Sequence, residues 1–108
     1  MKKIVATIKP VMIDDVIFAL HQVRNFPGAT ISEVKGIGKG FHHVNEINEA
    51  TTVTYLTFVR MEIICHAYLA ERIIDVIMKN AHTGNNDDGK ITVLSLDDAF
   101  EVSSKMQL

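Results

Sequence analysis

One cysteine, two prolines and the lack of any long apolar run define what this 108-residue chain does without. A single thiol, Cys65, cannot close an internal disulfide, so a reducing compartment is the expected setting. Met1-Lys2-Lys3 leads into an apolar stretch that Lys9 and Pro10 soon interrupt. That stretch is too short for a secretory signal, and no later segment could span a bilayer, so a cytoplasmic protein is expected. A formal net charge of −2 gives no general attraction to nucleic acid or anionic membrane. No C-x2-C or H-x3-H spacing is present, which leaves His42, His43, Cys65, His66 and His82 without a zinc or copper motif. The bidentate glutamate that would close a calcium loop around Asn85, Asp87 and Asp88 is also missing. Cys65 has no general base fixed by spacing, and its neighbour His66 would point to the opposite side of a strand. Enzymatic chemistry is therefore not expected.

The remaining composition, 47% hydrophobic and 22% charged, is that of an ordinary globule, and the length suits one domain over residues 1–108. Lys3 to Ile8 alternates, with Ile4, Ala6 and Ile8 on one side, which predicts a strand ended by Lys9-Pro10. Asp14-Asp15 opens a helix whose Ile13, Val16, Ile17 and Leu20 form one apolar stripe. Asn25-Phe26-Pro27-Gly28 signals a turn before a second strand, Thr30 to Lys35. Residues 36–52 have no convincing period. A third strand is expected from about Val53 to Cys65. A second helix is expected from Tyr68 to Asn80, with Leu69, Ile73, Val76 and Ile77 buried. Lys90 to Leu96 alternates as a fourth strand, Phe100 to Val102 suggests a short edge strand, and residues 103–108 form a tail with little signal.

The order strand, helix, strand, repeated once, predicts an α+β, ferredoxin-like βαββαβ sandwich with both helices on one face of a four-stranded sheet. The other face is then left bare. Val5 and Thr7 lie there, with Phe58 and Ile64 opposite Met61 and Ile63, and such a face favours oligomers over a monomer.

Between the second helix and the last long strand lies His82-Thr83-Gly84-Asn85-Asn86-Asp87-Asp88-Gly89-Lys90-Ile91. Nothing apolar occurs in it before Ile91, so it is a surface loop. It also has glycines that let amides turn outward, a hydroxyl, and a lysine at the exit, which are the parts of an anion site. Its aspartates are expected to be turn-forming and solvated.

Three segments carry a family resemblance. They are Ile8-Lys9-Pro10-Val11-Met12-Ile13-Asp14-Asp15-Val16, then Glu33-Val34-Lys35-Gly36-Ile37-Gly38-Lys39-Gly40, then Thr83-Gly84 with Asp88-Gly89-Lys90-Ile91. In this order and spacing the chain closely resembles the PII signal-transduction proteins over residues 1 to about 102. The resemblance implies a homotrimer with sheets packed inward and an adenine nucleotide (ATP or ADP in relatives, with Mg2+) held between subunits. It implies a T-loop at about residues 38–56 and a B-loop at residues 82–90. Thr30, Gly38, Lys39, Glu62, Ile64, Thr83, Gly84, Asp87, Asp88, Gly89 and Lys90 match nucleotide-contacting positions. The T-loop, here including Lys39, Phe41, His42, His43, Asn45 and Glu46, would engage a partner enzyme or a membrane transporter in nitrogen regulation. Many relatives also bind 2-oxoglutarate through the nucleotide-held magnesium.

The departures are specific. Asn85 and Asp87 stand where relatives have a basic residue and a glycine, and Glu101 and Ser103 stand where they have arginines. Gly40 replaces a glutamine linked to magnesium and 2-oxoglutarate, and Phe58 replaces a basic residue, which counts against 2-oxoglutarate. The B-loop and C-terminal changes remove three cations and add two carboxylates, a swing of five charges. Each is worth about 1 kcal/mol at 4 Å in water and about 4 kcal/mol at intermediate screening. A triphosphate loses most from this, and ADP or AMP less. Tyr55 sits at a strand base, so the uridylylation of some relatives is not carried over. The alternative is a metal-responsive trimer of the kind associated with heavy-metal efflux. In that reading His42 and His43 would be ligands and the nucleotide cleft degenerate.

Overall fold

The computed structural model describes residues 1–37, 55–85 and 87–108. Strand β1 (Lys2–Ile8) leads through a single 3-10 turn (Pro10–Met12) into helix α1 (Ile13–His21). Pro10 suits the start of that turn, where its missing N–H would have had no partner. Asp14 and Asp15 lie in the first turn of α1, where carboxylates are favourable to the helix dipole. Strands β2 (Thr30–Gly36) and β3 (Leu56–Cys65) follow, then helix α2 (Ala67–Ala81) and strand β4 (Gly89–Ser95). The expected start of β3 at Val53 falls outside the described residues.

The four long strands form one sheet in the order β2-β3-β1-β4, with every neighbouring pair antiparallel. That is the expected α+β, ferredoxin-like sandwich, and α1 and α2 pack on each other over one face. Ile4, Ala6, Ile8, Met61, Ile63 and Cys65 enter the core from the strands. Val16, Leu20, Leu69, Ala70, Ile73, Ile77 and Ala81 enter it from the helices. Val76, expected among these, is only partly buried.

Register places Lys3, Val5 and Thr7 of β1 beside Ile64, Glu62 and Arg60 of β3, and beside Leu94, Thr92 and Lys90 of β4. These residues share the face turned away from the helices, because alternation sends their neighbours into the core. Phe58 belongs to the same alternation but is buried, whereas Ile64 is 41% and Leu94 49% exposed.

The C-terminal expectation needs correction. Phe100–Glu101 does not extend the main sheet. It pairs with Met106–Gln107 as a separate two-stranded hairpin, β5 and β6, so the supposed tail is structured. Lys105 turns the chain with a φ of 62°, Leu108 N donates to Ala99 O at 2.8 Å, and Gln107 Nε2 donates to Asp98 Oδ1 at 2.6 Å.

Candidate functional site

The polar loop begins where α2 ends at Ala81 and finishes inside β4, which starts at Gly89. Gly84 and Gly89 take φ values of 91° and 130°, a region that side chains with a Cβ rarely enter. At Gly89 there is also no room, since a Cβ would overlap the Thr7 carbonyl oxygen. The glycine therefore lets β4 approach β1 at the pair Ile8–Gly89, and this sets where Lys90 emerges.

Asp88 organises the loop. Its Oδ2 accepts from the Thr83 amide at 2.6 Å and the Gly84 amide at 3.1 Å, and its Oδ1 accepts from the Thr83 hydroxyl. His82 Nδ1 lies 3.4 Å from Asp88 Oδ2. The Thr83 hydroxyl and amide, then Lys9 and the Gly84 amide, hold the Asp88 carboxyl below the usual carboxylate range. Lys9 Nζ reaches across from the end of β1 to Asp87 Oδ1 at 3.1 Å and Asp88 Oδ1 at 3.3 Å. Chiefly through its hydrogen bond to Asp87, the Lys9 ammonium is pushed up from its ordinary value. The two aspartates are thus not free solvated turn residues, as expected, but a carboxylate pair clasped by one ammonium. Sequence reasoning missed Lys9 as a member of the loop. The signal that would have found it is the β1–β4 register, because the residue after Ile8 must abut the one before Gly89.

Beside this loop, the space between α2 and the edge strand β4 forms a cavity of about 820 Å³. Ile74, Met78, Ile91 and Val93 supply an apolar wall, and Asp88, Gly89 and Lys90 stand at its polar end. An apolar wall with a few convergent polar groups is the usual lining of a small-molecule site.

The profile of the family described as "Nitrogen regulatory protein P-II" matches residues 1–106. The chain belongs to this family. It is 39% identical over 103 residues to the nitrogen regulatory protein P-II of Azospirillum brasilense, covering 94% of this chain and 91% of that protein. It is 40% identical over 103 residues to that of Bradyrhizobium diazoefficiens, with the same coverage. Over 97 residues it is 39% identical to the nitrogen regulatory protein P-II 1 of Escherichia coli K12, covering 89% and 86%.

Within this P-II chain the expected nucleotide residues fall into two groups. Thr83, Gly84, Asp87, Asp88, Gly89 and Lys90 are gathered in the loop and the first residues of β4. Thr30 and Glu62 face each other across β2 and β3, with Ile64 two residues further along β3. Strand β1 lies between the groups, so Glu62 is two strand spacings from β4, roughly 10 Å. In this chain Glu62 is engaged by Lys3 at 3.1 Å and Arg60 at 3.4 Å. Gly38, Lys39, Phe41, His42, His43, Asn45 and Glu46 lie outside the described residues. Among the described residues, no cluster of three histidine, cysteine or acidic side chains could hold a metal ion. Cys65 is buried, and that burial pushes its thiol up, away from the thiolate a metal would need. No helix among the described residues is long and apolar enough to cross a membrane.

Proposed function

We propose that this P-II chain is a non-enzymatic cytoplasmic regulator that assembles as a homotrimer and binds adenine nucleotide between neighbouring copies. The loop of one copy, Thr83 to Lys90, takes the phosphate. Thr30, Glu62 and Ile64 of the next copy take the purine, with Glu62 accepting from its exocyclic amine. Residues 38–56 are the arm that engages the regulated enzyme or transporter of nitrogen utilisation. Bound nucleotide favours one conformation of that arm, and the conformation sets affinity for the partner. Magnesium accompanies the nucleotide where its phosphates can share it. Gly40 and Phe58 lack the side chains that would hold 2-oxoglutarate.

The observation that carries this reading is the glycine-bent, lysine-ended loop opening on the 820 Å³ cavity at the edge strand β4, where a neighbouring copy can close it. The separation of the two residue groups by β1 supports a site completed by a second copy rather than within one chain.

A thermal-shift panel with ATP, ADP and AMP on the purified protein tests it. A true ligand at a hundredfold excess over Kd stabilises by about 2.7 kcal/mol. A melting point unmoved by all three nucleotides overturns the proposal.

A further inference from the structure

Strands β5 and β6 pair with each other in a sheet of their own, apart from the main one. A hairpin with strands of two residues is marginal by itself in water. Yet its large apolar side chains stay in solvent, with Phe100 66% and Val102 92% exposed. Register puts Phe100 and Gln107 on one side of the hairpin and Glu101 and Met106 on the other. The charge of Glu101 marks the second side for water. The first side, led by an aromatic ring, has the character of an anchor that seats in a pocket.

A pocket of matching character lies elsewhere on the same chain. The cavity between α2 and β4 has Ile74, Met78, Ile91 and Val93 along its apolar wall, and Met78 and Val93 are exposed there. Among the described residues, no strand lies on the outer side of β4. The hairpin does not fill the cavity of its own chain, since none of residues 96–108 lines it. Chain direction explains this. The polar end of the cavity is at Gly89, whereas the hairpin leaves from the far end of the seven-residue strand β4, about 20 Å away. The Leu96 amide, donating to Met1 O at 3.1 Å, fixes the exit at that end.

We infer that the apolar wall between α2 and β4 receives the C-terminal hairpin of a second copy, with Phe100 of one chain seated against Ile74, Met78 and Val93 of the next. The inference rests on the proposed homotrimer and names the part of the neighbouring copy that closes the cavity. Hairpin and wall are different patches of one chain, so the contact is heterologous and closes only as a ring of copies. Phe100 covers the apolar wall and leaves the polar end at Asp88 and Gly89 open to a ligand.

Photocrosslinking of the full-length protein tests this, with benzoylphenylalanine in place of Phe100 and isotopically light and heavy chains co-refolded. Illumination is expected to join light to heavy chains, with the attachment mapped by mass spectrometry to residues 74–93. Met78→Glu in the receiving chain should lower that yield severalfold, because Met78 is exposed and its loss leaves the fold intact. Benzoylphenylalanine in place of Phe18, which is as exposed as Phe100 but lies on α1, should not label residues 74–93. Attachment within one chain, or to another surface of the neighbouring copy, overturns the inference and leaves the proposed function standing. So does a yield that Met78→Glu does not change. One chain per particle by light scattering, with no joined chains, overturns the inference and the proposed trimer together.

Discussion

Gly89 and the Thr7 carbonyl stand so close that any Cβ on Gly89 would overlap the oxygen and lie 3.0 Å from the carbonyl carbon. The φ of 130° at Gly89 adds backbone strain for any other residue. Neither partner can yield cheaply, because Thr7 is fixed between β3 and β4 by hydrogen-bonded ladders on both sides. Gly89→Ala is therefore expected to cost at least about 2 kcal/mol, read as a lower urea midpoint at unchanged slope. Because the shift would move the start of β4, Lys90 should also be displaced, so any nucleotide affinity should fall with stability.

Asp88 gives the loop a pH signature. Its folded carboxyl is held below the ordinary range by Thr83, Lys9 and Gly84. A depressed carboxyl contributes stability that is fully present above its unfolded value of about 4. That contribution is lost as pH falls from there through the folded value. Urea midpoints measured between pH 6 and pH 3 should show this decline in the wild type. In Asp88→Asn the stability at neutral pH should be lower and the acid-side decline shallower.

How much of this was legible in the sequence depended on the range of each interaction. Strand β1 and both helices were readable because alternation and the i, i+3, i+4 stripe are local, and Ile4, Val16, Leu20 and Ile73 carry them plainly. The sheet's architecture followed from element order. The loop's glycines and lysine were also visible as an anion-site pattern. Its internal wiring was not, because Lys9 is 74 residues from Thr83 and only strand register brings them together. The engagement of Glu62 by Lys3 was hidden for the same reason. The short strand at Phe100 was expected, but its partner Met106–Gln107 was not, because that strand is two residues long and the left-handed turn residue before it is Lys105 rather than glycine.

Lys90 is the residue on which phosphate binding should depend most. It leaves the loop on β4, directly after the glycine that fixes its position and opposite Thr7. A charged hydrogen bond to phosphate is worth about 1.5–3 kcal/mol, so Lys90→Ala should weaken AMP by roughly ten- to a hundredfold. Lys79, which lines the same cavity from α2, provides the comparison. Lys79→Ala should leave binding within about threefold, and equal losses in the two variants would show a general charge effect instead of a directed contact.

Ile64 and Leu94 bear on assembly. Each is opposite Lys3 in register, one from β3 and one from β4, so the three form a row across the face turned away from the helices. At 41% and 49% exposure, both keep apolar area that a neighbouring sheet could cover. Completing the burial of such a side chain is worth about 1 kcal/mol, and a closed trimer would gain it three times per position. A glutamate there would instead have to be desolvated beside its copies around the threefold axis. Light scattering on the wild type should give three chains per particle, whereas Ile64→Glu and Leu94→Glu should shift it toward one. Their far-ultraviolet spectra should stay unchanged, because neither side chain enters the core between sheet and helices. A trimeric mass in both variants would show that the copies meet elsewhere, and a cleft shared between chains would then have to be built on a different surface.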